Sequence, residues 1–237
     1  MTVRIKELRE QPLLSPPPER LMPQWARLTQ EDRNLIEKKR WTSETDDVKA
    51  MFIAYAHSIG VEVNVEPAIE STLRRNLGYY RKKNILRELV RTQTLLKALG
   101  LKSRPSREDR EKSVEALDTH RIWGGYDIAA IHHDLKTLDI AAPVSAGDRA
   151  EMMKSLEKRR KERNGFQLAQ LHYWMRELGI GESITVGDEE LMEADLRRLR
   201  RADHFNLAWM HQALQGIYGG DETPRKGQLP PIKRFAG

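Results

Sequence analysis

The sequence predicts an all-α protein: a right-handed stack of about five helical hairpins, similar to an α-solenoid, flanked by extended N- and C-terminal arms. Three observations lead to this fold class. Apolar residues recur at spacings of three and four through the middle of the chain, which is the spacing of one helix face. A motif repeats at a period of about 40 residues, as in stacked helical hairpins. Prolines cluster towards both ends, where they disfavour helix.

The repeat is clearest in the last three predicted hairpins. Three segments align, beginning at Gly125, Gly165 and His204. They bring an aromatic residue, an isoleucine or leucine, an alanine and a histidine into register. The aligned histidines follow one another at steps of 40 and 39 residues and are His132, His172 and His211. Two earlier hairpins, ending at Gly60 and Gly100, fit the period less closely. The sequence signature of tetratricopeptide repeats, another family of helical hairpins, is not present.

The chain divides into three parts. Residues 1–27 form an arm in which the segment PLLSPPPERLMP favours an extended conformation. Residues 28–219 form the helical repeat domain. Its helix starts are marked by the capping residues Thr29, Ser106 and Ser145 and by Pro67. Residues 220–237 form a tail rich in glycine, proline and basic residues, with few apolar groups to bury.

Composition and motifs exclude several kinds of chemistry. The chain of 237 residues contains no cysteine, which rules out disulfides, thiolate metal sites and cysteine nucleophiles. It has no apolar run of about 18 residues that would predict a membrane span. Glycine-rich nucleotide loops, zinc-binding HExxH and the GxSxG motif are also missing. We therefore expect a protein that is not an enzyme and that uses no metal, cofactor or small-molecule substrate.

The repeated histidines are expected to be core residues. Equivalent positions in stacked hairpins lie on the order of 10 Å apart, whereas zinc holds imidazole nitrogens at about 2 Å, so one ion cannot bind all three. We expect each imidazole to pack between helices and to hydrogen-bond a loop carbonyl. The repeat aromatics are likewise expected in the core or at helix junctions, not on a base-stacking surface: Trp123, Tyr126, Phe166, Trp174, Phe205 and Trp209.

Basic clusters recur with the step of the repeat. Lys and Arg number 41 against 35 Asp and Glu, a net charge of +6. The first helix of most hairpins begins with acids and ends with bases, so stacking would line bases along one edge and acids along the opposite edge. The clusters are the candidate nucleic-acid-binding residues: Lys38, Lys39, Arg40, Arg81, Lys82, Lys83, Arg121, Arg159, Arg160, Lys161, Arg163, Arg197, Arg198, Arg200 and Arg201.

Two interpretations of these clusters stay open. Acids at a helix start and bases at its end complement the helix dipole, at about 0.3–1 kcal/mol each. Alternatively, the bases neutralise the phosphates of a polyanion and release its counterions. The density of arginines exceeds what the last helical turn can use, and the tail adds further bases. Both facts favour a nucleic acid.

The sequence therefore predicts a non-enzymatic, RNA-associated protein. We expect a structural or assembly component of a large ribonucleoprotein complex, similar to a ribosomal protein, in contact with RNA and with other protein subunits. The alternative is a protein–protein adaptor of the α-solenoid type that binds no nucleic acid. The N-terminus lacks the apolar segment of a secretory signal. This favours an intracellular location, in the cytoplasm or in an organelle such as the mitochondrion, without a membrane partner.

Overall fold

A computed structural model describes residues 21–39, 44–64, 66–102 and 104–219. All regular secondary structure in these residues is helical, which confirms the predicted all-α class. One-turn 3-10 helices cover Gln24–Ala26 and Arg121–Trp123. The α-helices in this part of the chain are α1 (Gln30–Glu37), α2 (Asp46–Ser58), α3 (Pro67–Lys83), α4 (Leu86–Ala98), α5 (Arg107–His120), α6 (Gly125–Thr137), α7 (Ala146–Lys161), α8 (Gly165–Glu177), α9 (Val186–Ala202) and α10 (His204–Tyr218).

Local capping chemistry explains where the odd-numbered helices begin. Helices α1, α5, α7 and α9 start with a capping box, in which a Ser or Thr side chain and an aspartate three residues later accept each other's backbone N–H. This arrangement satisfies two donors that the helix leaves unpaired. The capping residues are Thr29, Ser106, Ser145 and Thr185. The first three caps and the Pro67 start of α3 confirm the prediction, and Thr185 is an additional cap.

The ends of the even-numbered helices are also set locally. A residue with positive φ follows each of α2, α4, α6 and α8. Glycine adopts this left-handed conformation without a steric penalty, and it is the common stop signal of helices. The stop residues are Gly60, Gly100, Asp139 and Gly179. The glycine stops predicted for these hairpins are therefore confirmed.

The even-numbered helices contact one another in a closed cycle. Helix α2 packs on α4, α4 on α6, α6 on α8 and α8 on α10, and α10 then packs on α2. The rings of Tyr55 and Trp209 stack across this last contact, with centroids 5.0 Å apart and planes inclined by 8°. Phe52 and Phe205 stack beside them at 6.2 Å. We call α2, α4, α6, α8 and α10 the inner helices and the odd-numbered ones the outer helices.

The predicted right-handed stack of helical hairpins did not include this closure. In an open stack the aromatic face of the fifth hairpin would meet solvent or a partner. Here Trp209 and Phe205 pack instead on the first hairpin, so the apolar stripe of the last repeat is buried within the same chain. Burial of this stripe stabilises the closed arrangement, because removing apolar surface from water is favourable.

The outer helices follow one another end to end around the inner helices. Helix α7 packs on α6 and α8, α9 packs on α8 and α10, and α1 packs on α10. At the end of α7, Arg160 reaches Asp188 at the start of α9. The predicted separation of acids and bases onto opposite edges is therefore wrong. The acidic start of an outer helix instead meets the basic end of the preceding one.

Close packing of inner on outer helices depends on glycine at two positions. A Cβ atom placed on Gly125 would lie 2.0 Å from the carbonyl oxygen of Glu151 in α7. A Cβ atom on Gly165 would lie 2.0 Å from the carbonyl oxygen of Leu191 in α9. Neither distance is sterically possible, so any side chain here would push the two backbones apart. The glycines that open two aligned repeat segments are thus required by helix packing.

The two predicted arms lie mostly outside the described residues. Residues 1–20 of the N-terminal arm and residues 220–237 of the tail are not among them. Of the remaining part of the arm, Ala26 is fully buried and the ring of Trp25 packs edge-on against Tyr218 of α10, with centroids 6.3 Å apart. Residues 24–26 therefore contribute to the core. In the described part of the chain, no helix has the length and apolar character needed to cross a bilayer.

Candidate functional site: the outer-helix junctions and the ring centre

An arginine and a buried aspartate join consecutive outer helices. Arg160 donates two hydrogen bonds to Asp188, from Nε to Oδ1 at 2.8 Å and from Nη2 to Oδ2 at 2.7 Å. The side chain of Asp188 is 1% exposed. Such a bidentate pair is both stronger and more directional than a neutral hydrogen bond. We call these pairs junction clamps, and in the described residues they are Arg81–Asp109, Arg121–Asp148, Arg160–Asp188 and Arg200–Asp32.

The aspartate of a clamp also holds the helix start and an inner helix. Asp188 is the third residue of α9 and accepts the backbone N–H of Thr185 at 3.0 Å. His172 of the inner helix α8 places its Nε2 atom 3.4 Å from Asp188 Oδ2. One carboxylate thus connects two outer helices and one inner helix. The same contact recurs at 3.3 Å between His132 and Asp148, and at 3.2 Å between His211 and Asp32.

The predicted burial of the three histidines is confirmed, because His132, His172 and His211 are 1%, 3% and 0% exposed. The predicted loop carbonyl is found at His132, whose Nδ1 lies 3.2 Å from Ala142 O. The partner common to all three is the clamp aspartate, which the sequence analysis did not identify. Among the residues that the structure describes, no cluster of three or more His, Asp or Glu is arranged to hold a metal ion.

Burial and pairing act in opposite directions on the clamp carboxyls. Burial alone would raise the pKa of Asp188, but hydrogen bonds from Arg160 and from the Thr185 backbone, together with the nearby His172 imidazole, outweigh it and hold the pKa far below the usual range. The pKa of Asp32 is lowered for the same reasons by His211 and Arg200. The Arg121 hydrogen bond is the largest influence on the lowered pKa of Asp148. These carboxylates are therefore ionised at neutral pH, and removing an arginine would leave a buried charge without its partner.

Two junctions depart from this pattern. Gln93 of α4 stands where the later inner helices have histidine, and neither polar atom of its side chain has a hydrogen-bond partner among the described residues. At the start of α3 the third residue is the buried Ile69 instead of an aspartate. Helix α3 is instead held to the inner helix α2, for example by Thr72, which donates a 2.7 Å hydrogen bond to Asp46. The clamp is thus a feature of the later junctions and of the closing one.

The structure sorts the predicted nucleic-acid-binding residues into three groups. Those in junction clamps are Arg81, Arg121, Arg160 and Arg200. Those paired with a nearby carboxylate are Lys39, Arg159, Arg197 and Arg198. Those that are exposed and form no ion pair with another described residue are Lys38, Lys82, Lys83, Lys161, Arg163 and Arg201. Arg40 lies outside the described residues.

The clamp arginines have a carboxylate partner that the sequence did not predict. Each one is held by a carboxylate that is at most 3% exposed, so its positive charge is matched inside the protein. Neither open interpretation of the basic clusters anticipates this role. The unpaired bases lie within three residues of a clamp arginine at three of the four clamps, as Lys82 and Lys83 do beside Arg81. The clusters thus combine one structural arginine with neighbours that stay accessible.

At the remaining clamp, Arg121–Asp148, exposed apolar residues follow the arginine. Ile122 is 83% exposed and Trp123 is 69% exposed, on the one-turn helix after Arg121. The prediction that Trp123 is a core or junction residue is wrong, because the extra turn between α5 and α6 carries it outside the ring. The other predicted repeat aromatics are packed as expected: Tyr126, Phe166, Trp174, Phe205 and Trp209.

The inner helices present a partly exposed stripe to the centre of the ring. In α6 the residues with intermediate exposure lie at helical spacing, and buried residues separate them. The pKa of Tyr55 on α2 is raised by burial and further by the nearby Asp134 and Tyr126 of α6, helices that are not neighbours in the ring order. These side chains therefore approach one another across the centre. The α6 residues of the stripe are Tyr126, Asp127, Ala130, His133, Asp134 and Thr137.

Among the carboxyl groups of this central region, that of Asp134 has the pKa that departs most from its usual value. Burial raises its pKa to about 7, while the charge of Arg91 and the nearby Thr94 hydroxyl offset only part of the effect. The carboxyl is nevertheless 24% exposed, so protein surrounds it without sealing it from solvent. His133 lies beside it, with Nδ1 4.0 Å from Asp134 Oδ1. A carboxyl of this kind can both accept and donate hydrogen bonds near neutral pH.

One signal in the sequence could have revealed the clamps. The clamp partners Arg81 and Asp109 are 28 residues apart, as are Arg160 and Asp188, and Arg121 and Asp148 are 27 residues apart. A separation of unlike charges that recurs almost unchanged across the repeat therefore indicates a pairing between hairpins. By contrast, the central position of Asp134 depends on ring closure, which no local pattern in the sequence reports.

Comparison of the chain with protein-family models, with curated proteins and with solved structures gives no match.

Proposed function

We propose that the protein is a non-enzymatic, RNA-associated structural or assembly component of a large ribonucleoprotein complex. In this proposal the five helical hairpins act as a scaffold and the junctions present the RNA-binding side chains. The observation that carries the proposal is the set of exposed, unpaired bases beside the clamp arginines. Partner subunits would contact the remaining surface, and the protein would act inside the cell, in the cytoplasm or an organelle.

The clamps sharpen the electrostatic argument for RNA. Each clamp is neutral as a pair, so it adds no net attraction for a phosphate. The bases next to it, such as Lys82 and Lys83 at the end of α3, have no carboxylate partner among the described residues. Unpaired Lys and Arg release counterions from a nucleic acid without first breaking an internal ion pair. These bases therefore place accessible positive charge beside three of the four clamps.

Trp123 adds a second element of single-strand recognition. Its exposed indole lies in a chain segment next to α7, since a Cβ atom placed on Gly124 would lie 4.0 Å from the Ser155 hydroxyl. Helix α7 ends in basic residues that include Lys161. Exposed aromatic rings beside basic side chains are typical of proteins that stack bases of single-stranded RNA, at about 1–3 kcal/mol per base.

The alternative function, a protein–protein adaptor, is favoured by the exposed pair of Ile122 and Trp123. Aromatic side chains are enriched among the residues that dominate protein interfaces. An adaptor would use this pair as an anchor, and the unpaired bases would serve solubility or helix ends. The two functions differ in how binding responds to salt.

The test compares two double variants of the same hairpin. Lys82→Gln with Lys83→Gln removes two unpaired charges beside a clamp arginine, and Lys102→Gln with Arg104→Gln removes two charges from the segment between α4 and α5. We expect the first variant to weaken binding to single-stranded RNA and to flatten the slope of log affinity against log salt by about 0.7 for each phosphate that the protein no longer binds. The control should bind like the unaltered protein. RNA binding that is absent, or weakened equally by both variants, would contradict the proposal and favour the adaptor.

A further inference from the structure

Helix α3 has an exposed aromatic residue in the middle of a basic face. Tyr79 is 51% exposed. Arg75 lies one turn before it, and Lys82 and Lys83 lie one turn after it, so the four residues share one face of the helix. All four are exposed, whereas the buried residues of α3 lie on the other side of the helix. We call these four residues the α3 surface.

The basic side chains of the α3 surface are available to an anion. Lys82 and Lys83 form no ion pair with another described residue. Arg75 donates a long hydrogen bond of 3.4 Å to the Thr72 hydroxyl, and no carboxylate in the described part of the chain pairs with it. Arg81, by contrast, is held by its clamp. Positive charge without an internal partner therefore flanks the tyrosine on both sides along the helix.

The ring of Tyr79 is positioned by its neighbour in the chain. Tyr80 packs against the core and meets the Tyr79 ring at an angle of 68°, with centroids 5.8 Å apart. This contact restrains the Tyr79 ring but leaves it accessible to solvent. A restrained side chain loses less conformational freedom when a ligand stacks on it. Exposed aromatic rings beside basic residues are typical of surfaces on which nucleic-acid bases stack.

Gly78 keeps space open next to this ring, although helix packing does not require a glycine there. The described helices contain two glycines beyond their first turn, Gly78 and Gly216. Packing explains Gly216, because a Cβ atom there would lie 2.1 Å from the Tyr173 ring. A Cβ atom on Gly78 would meet no described atom within 4 Å. Glycine lowers helix stability relative to alanine, so Gly78 weakens α3 without a packing reason and leaves room for a molecule outside the chain.

These features together match one nucleotide of a single strand. An unpaired nucleotide offers a flat base and has a phosphate on either side of it. The base can stack on the tyrosine ring, and the two phosphates can reach the basic residues one turn before and one turn after the ring. A duplex also offers phosphates, but its base faces are covered by their neighbours in the stack. The aromatic ring therefore favours a single strand over a duplex.

We propose that the α3 surface binds an unpaired base of single-stranded RNA. Tyr79 stacks on the base and Gly78 leaves room for it. The three basic side chains of the surface bind the flanking phosphates. This inference rests on the proposed RNA-associated function and assigns to it a base-stacking position on α3, in addition to Trp123.

The experiment measures fluorescence anisotropy of a labelled ten-nucleotide uridine RNA, and of a labelled RNA duplex, on titration with the full chain. Tyr79→Leu removes the aromatic ring and keeps an apolar residue that favours helix. We expect it to weaken single-strand binding about ten-fold. Duplex binding and the slope of log affinity against log salt should stay unchanged, because the ring is uncharged. Tyr79→Phe keeps the ring and should bind like the unaltered protein.

A second variant tests the open space beside the ring. Gly78→Gln fills this space with a side chain that favours helix, so we expect weaker single-strand binding without a fall in melting temperature. Gly187→Gln adds the same side chain at an exposed glycine of α9 and is the matched control. It should bind RNA like the unaltered protein. Circular dichroism and the melting temperature of each variant establish that it is folded.

The outcomes separate the stacking site from the RNA function as a whole. If Lys82→Gln with Lys83→Gln weakens RNA binding and Tyr79→Leu does not, the stacking site is overturned while the RNA function stands. If Tyr79→Leu weakens single-strand and duplex binding equally, the ring does not stack on a base, and the site is again overturned. If the unaltered protein binds neither RNA, the stacking site and the RNA function are both overturned.

Discussion

Arg200 and Asp32 are 168 positions apart in the chain, yet the guanidinium donates two hydrogen bonds to the carboxylate, at 2.8 and 2.9 Å. This pair has the same geometry as the clamps between consecutive hairpins. The first and fifth hairpins are therefore joined as if they were neighbours in sequence. The clamp that joins consecutive outer helices thus also joins the last outer helix, α9, to the first, α1. At this point the ring leaves no helix end without a clamp partner.

The closing clamp should contribute measurably to stability. Arg200→Gln leaves Asp32 buried and ionised without its main cationic partner, so we expect the free energy of unfolding to fall by about 2–4 kcal/mol. Arg197→Gln is the matched control, because its pair with Glu193 is more exposed. The control should cost less than about 1 kcal/mol. Urea unfolding of both variants measures the difference, and equal effects would show that the clamp adds nothing beyond a surface pair.

The clamps also make the protein sensitive to acid. The pKa values of Asp32, Asp148 and Asp188 are lowered in the folded protein, whereas an unfolded aspartate titrates near 3.9. The stabilisation is therefore complete above about pH 4 and is lost as pH falls below that value. Arg160→Gln should make this loss shallower, because the pKa of Asp188 then moves upward. Unfolding free energies between about pH 5 and pH 2 measure the slope, and parallel curves for variant and parent would contradict the clamp.

Asp134 should have the opposite effect on stability. Burial raises its pKa to about 7 in the folded protein, so the folded state holds this proton more tightly than the unfolded state does. Stability should therefore fall as pH rises from about 4 to 7, by on the order of 1–3 kcal/mol for this group. Asp134→Asn should remove that decline and be more stable than the parent at pH 7. A variant less stable than the parent at pH 7 would show that the carboxylate is ionised and stabilising.

Packing at the helix crossings can be tested with two glycines. Gly165→Ala places a Cβ atom against the backbone of Leu191, so we expect a loss of about 2–4 kcal/mol from the forced separation of α8 and α9. Gly78 is the control, since it lies in α3 and a Cβ atom there meets nothing within 4 Å. Gly78→Ala should stabilise the protein by about 0.5–1 kcal/mol through helix propensity. Thermal unfolding of the two variants should shift in opposite directions, and a neutral Gly165→Ala would contradict the close approach.

Local features of this fold could be predicted from the sequence because local chemistry determines them. The caps at Ser106 and Ser145 depend on residues within one helical turn, and the buried positions of His132 and His172 follow from helical spacing and the repeat. The role of Asp188 could not be read in this way. A capping box explains that aspartate fully at the local level, so nothing in its own segment shows that Arg160 and His172 also bind it.

The candidate sites were less predictable, because their residues become functional through contacts between distant segments. In the sequence, nothing distinguishes Arg200 from the other bases of its cluster. It is a clamp residue only because ring closure places Asp32 next to it. Trp123 matches the aromatic pattern of the repeat, but a one-turn insertion displaces it to the surface. Asp134 follows His133 in an ordinary amphipathic helix, and its environment is unusual because helix packing buries it near Arg91 of α4.

Closure of the ring is tested most directly by a distance measured in solution. The chain contains no cysteine, so cysteines introduced at two exposed positions can be spin-labelled uniquely and their separation measured by double electron–electron resonance. Glu31→Cys with Arg201→Cys labels both sides of the closing clamp, and Lys82→Cys with Glu108→Cys labels the corresponding positions at an ordinary junction. The closed ring predicts similar distances for the two pairs, below about 25 Å. An open stack of hairpins at about 10 Å per step would keep the second pair short and give about 40 Å or more for the first, which would contradict the closed ring.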